Sequence, residues 1–416
     1  MENVPVLFEN RFDNGVVLLA EPMPWLRSAA FSILLPAGCQ FDPPNHMGLA
    51  NLTSDMIQRG CGSRDNRQFI EDLEFLGADY GVSASVYHMA IGGTVPSTQL
   101  FDTLSIFADV ICRPWLPAEQ LDDAKMVCYQ ELRALEDDLA HKAMLALRMR
   151  YYGDPLGRSS AGSAEGIESI SIDDVRNFCQ THFRSGPTII SVAGNIDWPR
   201  LLDQVGKLFG DPCTSPVPAV NVSAPSHGNE HIQFESQQTH ICLAYPSVSY
   251  REPDYFRARG AVGVMSDGMS SRLFNEVREK RGLCYSVFAT LHSLRDRACI
   301  MCYAGTGADR AQETLNVIVE QFRRLRQGIT RDELARLKVQ IRSSLVMQQE
   351  SSRSRAASMA GDWFHLGRVR SLAEVNRLIN DLSIEDVNEY LRDHPPLTCD
   401  VVTIGPRALE IPNGVP

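Results

Sequence analysis

The sequence predicts an α+β protein of two homologous halves, each a mainly antiparallel sheet covered by helices, which together form a clamshell. The first observation is size, because 416 residues with 44% apolar content exceed what a single hydrophobic core usually serves. The second is a Pro/Ser-rich stretch from Asp211 to Asn229 that loses all hydrophobic periodicity. The third is an internal repeat, since the order of predicted elements starts again after this stretch.

Three pairs of matching segments carry the repeat. Ser171-Ile172-Asp173-Asp174-Val175 matches Ser383-Ile384-Glu385-Asp386-Val387, and Ser54-Asp55 matches Ser266-Asp267 at the same spacing of 212 positions. Residues 77–84 and 282–289 share the pattern G-x-x-Y-x-V-x-A at a spacing of 205. We therefore predict a first domain at 1–211, a linker at 212–229 and a second domain at 230–416.

The hydrophobic pattern predicts the elements in order. Asn14-Gly15 between alternating residues indicates a hairpin, and Pro117 opens a long helix at the position where proline is best tolerated. In the second half, the capping box Thr330-x-x-Glu333 opens the matching long helix. The elements of the first half are the hairpin at 8–22, a strand at 29–35, helices at 47–57 and 67–76, strands across 80–96, the helix at 117–136 and a buried strand at 188–194.

The segment 266–287 of the second half predicts a glycine turn, a short charged helix and the start of a strand. The apolar stripe of this helix comprises Leu273, Phe274 and Val277. Gly282 supplies a left-handed residue that ends the helix. Arg278 and Tyr285 then face the same space across the turn, where a cation and a phenol can hold a carbonyl oxygen.

Composition excludes several classes of function. A net charge of −11 and a pI near 5.4 argue against a nucleic-acid groove or an anionic membrane surface. No 18 apolar residues run together and the first residues lack a signal sequence. We expect a cytoplasmic chain, or a periplasmic one if a leader has been removed. The eleven cysteines are scattered, and we expect reduced core thiols, those of Cys299-x-x-Cys302 included.

With these segments, nearly the whole chain resembles the pitrilysin/insulinase family of zinc peptidases with the inverted metal motif, the group that includes the mitochondrial processing peptidase. The resemblance is strongest through the segment that includes Ser271-Arg272-Leu273-Phe274 and Arg281-Gly282-Leu283-Cys284-Tyr285-Ser286. Weaker matches occur in the family's order at Phe12-Asp13-Asn14-Gly15-Val16, Met47-Gly48-Leu49-Ala50, Gly153-Asp154-Pro155-Leu156-Gly157 and Ala193-Gly194-Asn195-Ile196-Asp197.

The zinc motif of that family is degenerate in this chain. Family members carry H-x-x-E-H on a helix, where two histidines bind zinc and the glutamate activates its water. The corresponding positions here are Asn51, Ser54 and Asp55, and the family's third ligand maps to Glu131. Because two carboxylates without imidazole or general base make a poor zinc site, we expect no cofactor in this chain and no peptide hydrolysis by the chain alone.

The resemblance gives Arg278 and Tyr285 a role, since the family's R-x6-Y pair holds the substrate carbonyl. Some two-subunit members divide the site in this way, with the zinc motif on one subunit and the Arg/Tyr pair on its paralogue. The competing interpretation is structural: Arg278 pairs with Glu276 or Glu279, and Tyr285 packs in the sheet.

One segment, His227-Gly228-Asn229-Glu230-His231, does spell H-x-x-E-H. The motif requires a helix, which places i and i+4 on one face, whereas Gly228 and Asn229 are poor helix formers. The alternation of the residues that follow His231 is typical of a strand. We interpret this segment as a chance match.

The leading hypothesis is a non-catalytic subunit of a heterodimeric zinc metallopeptidase, which binds unfolded peptide substrates beside a paralogous subunit that bears the zinc motif. A structural or assembly protein of the same fold is the second hypothesis. The third is an active zinc peptidase with substitute ligands, drawn from Asp55, Glu131, His46, His227 and His231.

Overall fold

The computed structural model describes residues 6–183, 186–210, 216–396 and 399–412. Its strands are β1 (Phe8–Arg11), β2 (Val17–Pro22), β3 (Ser28–Leu35), β4 (Gly60–Cys61), β5 (Arg64–Asp65), β6 (Asp79–Ala84), β7 (Met89–Pro96), β8 (Ile189–Gly194), β9 (Asn229–Gln233), β10 (Gln238–Ser247), β11 (Cys284–Ser293), β12 (Ala298–Gly307) and β13 (Asp400–Gly405).

The α-helices are α1 (Leu49–Met56), α2 (Asn66–Phe75), α3 (Leu100–Cys112), α4 (Leu121–Asp137), α5 (Leu139–Tyr152), α6 (Ala164–Ser169), α7 (Ile172–His182), α8 (Trp198–Phe209), α9 (Tyr255–Ser266), α10 (Ala311–Leu325), α11 (Arg331–Gln349), α12 (Ser352–Leu366), α13 (Leu372–Asp381) and α14 (Ile384–Asp393). Short 3₁₀ turns occur at Cys39–Phe41, Ser97–Gln99 and Ala118–Gln120, and a π-helix occurs at Phe274–Glu279.

The chain forms two compact units, and each contains one large sheet. The sheet of the first unit has six strands in the order β1-β2-β8-β3-β7-β6, and that of the second has five in the order β11-β12-β10-β13-β9. In each sheet one pair of strands is parallel, β2 with β8 and β13 with β9, and the other pairs are antiparallel. The predicted α+β class with two mainly antiparallel sheets is confirmed.

The repeat predicted from the sequence is present in three dimensions. Read from the other edge, the second sheet runs β9-β13-β10-β12-β11, which matches β2-β8-β3-β7-β6 strand for strand, while β1 has no counterpart in the second sheet. The matching segments at 171–175 and 383–387 both form capping boxes: the Ser171 hydroxyl accepts from the N–H of Asp174 in α7, and the Ser383 hydroxyl accepts from the N–H of Asp386 in α14.

One helix of each half belongs to the unit of the other half. The first unit comprises Met1–Ala134, Arg158–Val222 and Met347–Ser371, and the second comprises Leu135–Gly157, Ser223–Val346 and Leu372–Pro416. Thus α12 packs on β3 and β8, and α5 packs on β10 and β13. The continuous domains predicted at 1–211 and 230–416 therefore need this correction, because burial of the apolar faces of α5 and α12 decides the unit to which each belongs.

Two boundaries also differ from their predictions. The helix predicted to open at Pro117 begins as a 3₁₀ turn, and the α-helix starts at Leu121. Of the linker predicted at 212–229, residues 216–227 carry no helix or strand and Asn229 already begins β9, while 212–215 lie outside the described residues. None of the described helices is both long and apolar enough to cross a membrane.

Candidate functional site

The first candidate site lies in the first unit, where α1 carries the positions of the zinc motif. The side-chain amide of Asn51 donates to Oε2 of Glu131 on α4 at 2.9 Å. The structure therefore brings together the positions equivalent to the first and third metal ligands. The Asn51 amide is a neutral donor and Glu131 a carboxylate acceptor, so the two side chains bind each other directly, without a metal ion between them.

The other positions of the degenerate motif are engaged locally. The hydroxyl of Ser54 donates to the backbone oxygen of Asn51 at 2.7 Å, and Asp55 accepts from Arg59 one turn later at 2.6 Å. Cys128 lies 3.8 Å from the Asn51 amide, and burial raises the pKa of its thiol to about 12. A buried neutral thiol and a carboxylate already paired with arginine are poor zinc ligands.

These residues do not fit the zinc ion of the family. Across the described residues, no group of three or more His, Cys, Asp or Glu side chains is arranged to hold a metal ion. Another proposed substitute ligand, His46, lies with Nδ1 3.7 Å from Oδ1 of Asp174.

The literal H-x-x-E-H segment runs into strand β9. His227 Nδ1 lies 2.8 Å from Asp400, and His231 Nδ1 lies 2.9 Å from the Thr403 hydroxyl. Glu230 forms an ion pair with Arg150 at 2.7 Å. Because β9 begins at Asn229, this segment is not the helix that would place both histidines on one face, and each histidine has a different partner on β13.

The second candidate site lies in the second unit and begins with the π-helix. Leu273, just before this helix, and Val277 within it are buried, and Lys280 N–H donates to the Asn275 oxygen five residues back at 2.9 Å. Gly282 follows at φ +59°, and its N–H donates to the Arg278 oxygen at 2.9 Å. The left-handed end that the sequence predicts at Gly282 is thus present.

Tyr285 is turned out of the sheet by a β-bulge. Cys284 pairs with Thr306 and Ser286 with Gly305, so Tyr285 is the extra residue of strand β11. Bulges of this kind re-aim a side chain, and Tyr285 is 85% exposed. The structural interpretation that packs Tyr285 in the sheet is therefore wrong.

The repeat provides an internal comparison for this tyrosine. Tyr80 occupies the equivalent position of β6 in the first unit, but it pairs in regular register with Gly93. Its ring makes edge contacts with Phe69 and Phe107, which are buried. The bulge is what distinguishes the exposed tyrosine from its half-buried equivalent.

Arg278 lies between two aromatic rings. Its guanidinium carbon is 4.9 Å from the ring centre of Phe274 and 5.0 Å from that of Tyr285, within the range of cation–π attraction. Glu276, a predicted partner of Arg278, is bound instead by Lys280 at 2.6 Å and by Arg281 at 2.8 Å. Arg281 and Lys280 hold the pKa of Glu276 below its usual value.

Arg278 makes no ion pair with any residue in the described part of the chain. The structural interpretation that pairs it with Glu276 or Glu279 is therefore wrong. The half-buried guanidinium and the exposed Tyr285 phenol form a pair of hydrogen-bond donors on one turn. The chemistry available to this pair is the binding of a carbonyl or carboxylate oxygen.

Known protein families match both halves of the chain. The family model described as "Insulinase (Peptidase family M16)" matches residues 17–163, and the model described as "Peptidase M16 inactive domain" matches residues 169–341. Both describe the same peptidase family and together they extend over most of the chain. The chain belongs to the M16, or insulinase, family.

Its relatives in the M16 family extend over almost its whole length. An uncharacterized zinc protease of Bacillus subtilis is 28% identical over 385 residues, which cover 91% of this chain and 93% of that protein. An uncharacterized zinc protease of Rickettsia bellii is 23% identical over 382 residues, with coverage of 91% and 92%.

Solved structures show the same fold. A crystal structure described as the peptidase M16 inactive domain from Pseudomonas fluorescens has a TM-score of 0.88 at 23% identity and covers 98% of this chain and 100% of that one. A protease from Helicobacter pylori has a TM-score of 0.85 at 16% identity, with coverage of 97% and 100%.

Sequence reasoning did not identify all the residues of these M16 sites. It placed Asn51, Glu131, Arg278 and Tyr285 correctly on their elements, but it did not assign Phe274 as the second ring against Arg278. Phe274 and Arg278 are four residues apart, which is the spacing of neighbours on a helix, and this signal was available. The bulge at Tyr285 has no such signal.

Proposed function

We propose that this chain is a non-catalytic subunit of a heterodimeric zinc metallopeptidase, and that it binds unfolded peptide substrates. The observation that carries the proposal is the 2.9 Å hydrogen bond from Asn51 to Glu131 at positions where a metalloenzyme of this family needs zinc ligands. Asp55, the remaining ligand position, is paired with Arg59. No hydrolytic step is therefore assigned to this chain alone.

Arg278 and Tyr285 supply the substrate-binding part of the function. A peptide carbonyl oxygen accepts from the guanidinium and from the phenol, and charge that develops on this oxygen during hydrolysis strengthens both bonds. Phe274 supports the guanidinium from its other side at 4.9 Å. Preorganised donors cost little reorganisation when the substrate arrives, which suits them to catalysis by a partner's nucleophile.

The partner in this proposal is a paralogous subunit that carries an intact H-x-x-E-H motif and the zinc ion. That subunit provides the activated water and the general base, for which this chain offers no residue at Ser54. The proposed substrates are extended peptides, whose backbone carbonyls are accessible. Because every peptide has such carbonyls, we expect little sequence preference. The proposed location is the cytoplasm.

The test is reconstitution with such a paralogue from the same genome. We expect neither this chain nor the paralogue alone to cleave an unfolded peptide at an appreciable rate, and we expect the mixture to do so. A complex that forms but cleaves no peptide, both with the wild-type chain and with variants at Arg278 and Tyr285, would favour the structural or assembly role. Cleavage by this chain alone would favour substitute ligands.

A further inference from the structure

A polar cavity of about 660 Å³ lies in the second unit, outside the Arg278 site. Its walls are the π-helix, the end of α10, the segment 327–330 and the start of α11. This volume falls within the range of small-molecule sites. Asn275 and Glu276 line the cavity, whereas Arg278 on the same helix does not.

The base of the cavity is rigid. Arg272 donates to both carboxylate oxygens of Glu333, at 2.6 and 2.9 Å, and to the backbone oxygen of Gly328 at 2.9 Å. Gly328 has φ +102°, and the next N–H, that of Ile329, donates to the Asn388 side chain at 2.8 Å. A bidentate arginine–carboxylate pair is geometrically specific, so this wall is formed before any ligand arrives.

The charges that remain available in the cavity are positive. Glu333 is neutralised by Arg272, and Glu276 is bound by Lys280 and Arg281. Arg336 lines the cavity and makes no ion pair with any residue that the structure describes. This positive surface occurs in a chain of net charge −11, so it is a local feature and not part of a general basic field.

Gln321 provides an independent sign of a missing partner. Its side chain lines the cavity, the residue is only 2% exposed, and it makes no hydrogen bond to any residue within the described ranges. Its amide is not among the fully enclosed polar atoms and is open to the cavity, where a bound molecule can form hydrogen bonds with it. Native proteins retain such a group where a ligand or an ordered water satisfies it.

We propose that this cavity binds a small oxyanion, recognised through carboxylate or phosphate oxygens. Arg336 provides the charge that attracts the anion, and the Gln321 amide donates to it from the wall of the cavity. Asn275 adds a further amide from the π-helix. The ligand site is separate from the Arg278 and Tyr285 pair, so it extends the proposed function without depending on it.

The test is calorimetric titration of the purified chain with pyrophosphate and, separately, with citrate at low ionic strength. We expect saturable binding of at least one of them. Binding of pyrophosphate would identify a site for phosphate oxygens, and binding of citrate a site for carboxylate oxygens. Arg336→Ala and Gln321→Met should each weaken this binding about tenfold or more. Gln321→Met should leave the melting temperature nearly unchanged, because methionine is similar in volume and the replaced amide makes no hydrogen bond within the described residues.

Two variants serve as controls. Arg342→Ala removes an exposed cation of the same helix that does not line the cavity, and it should leave binding unchanged. Arg278→Ala should also leave it unchanged, which separates this site from the proposed peptide site. Binding of neither anion, or equal losses with Arg336→Ala and Arg342→Ala, would overturn the proposal.

Discussion

The guanidinium of Arg278 lies 5.0 Å from the ring centre of Tyr285, and the two side chains reach each other because a β-bulge turns Tyr285 outward. A residue of the π-helix and a residue of strand β11 are thereby held on one short turn that ends at Gly282. Phe274 fixes the guanidinium from its other side at 4.9 Å. The pair is therefore oriented before a substrate arrives.

Removal of either donor should abolish the activation of the partner without unfolding the chain. We expect Arg278→Ala and Tyr285→Phe each to lower peptide cleavage by the reconstituted complex about 100-fold, the usual cost of losing a donor to a developing oxyanion. The urea midpoint should change little, because Tyr285 is 85% exposed and Arg278 makes no ion pair within the described residues. Steady-state cleavage assays and urea titrations measure both effects.

The matched control is Tyr80→Phe, at the equivalent position of the first unit. Its ring packs against Phe69 and Phe107, so the variant should leave cleavage by the complex unchanged. Full activity of Arg278→Ala and Tyr285→Phe would remove the substrate-binding role from both residues.

The geometry of α1 predicts that a zinc site can be restored. Positions 51 and 55 lie one helical turn apart, and Glu131 is already within hydrogen-bond distance of residue 51. We expect the combined change Asn51→His, Ser54→Glu and Asp55→His to raise zinc content to about one ion per chain. Elemental analysis of the dialysed protein measures this.

Glu131→Gln in that triple background is the control and should lower zinc affinity strongly, because it removes the third ligand. A triple variant that folds, as judged by its circular dichroism, yet stays free of zinc would contradict the equivalence of these positions with the family's metal site.

Local patterns in the sequence were sufficient for most of the fold. The capping box at Thr330 and Glu333 and the left-handed Gly282 were predicted at the residues where the structure has them, since each depends on neighbours within a few positions. The exchange of α5 and α12 between units was not predicted. An apolar helix face indicates burial, but it does not specify which sheet will cover it.

The bulge at Tyr285 escaped prediction for a related reason. Strand alternation is read along one chain, whereas a bulge is a mismatch between two strands, here β11 and β12. In the sequence, Tyr80 and Tyr285 occupy the same pattern, G-x-x-Y-x-V-x-A. Only the pairing with the neighbouring strand distinguishes the half-buried tyrosine from the exposed one.

The placement of α12 predicts a strongly coupled ion pair. Arg355 on α12 contacts Glu21 on β2 at 2.7 Å, and each side chain is 4% exposed. We expect Arg355→Met to lower the free energy of unfolding by about 3–5 kcal/mol, because it leaves a carboxylate buried without its partner. Chemical denaturation measures the loss.

The double variant Arg355→Met with Glu21→Gln should recover a large part of that stability, since the uncompensated charge is gone. Additive losses in this double-mutant cycle would mean that the two side chains do not depend on each other.

Stability at acidic pH should depend on His292. Burial, and secondarily the charge of Arg148, lowers the pKa of this histidine to about 4, and its Nδ1 lies 2.8 Å from the Tyr152 hydroxyl. A folded pKa below the unfolded value of 6.5 favours the neutral ring in the folded state. The contribution to stability is then complete above pH 6.5 and is lost as pH falls toward 4.

We therefore expect the urea midpoint of the wild type to fall between pH 7 and pH 5, and expect His292→Phe to show a smaller fall over the same range. The comparison uses the slope of the urea midpoint against pH, so a loss of stability that is the same at every pH does not affect it. Equal slopes would contradict the lowered pKa of His292 in the folded state.

The most direct test of the central claim is the zinc content of the purified wild-type chain, measured by elemental analysis after exchange into chelator-free buffer. The account predicts a value near zero, because Asn51 and Asp55 are engaged with Glu131 and Arg59 and do not offer ligands. A value near one ion per chain would contradict it and would require ligands from elsewhere in the protein.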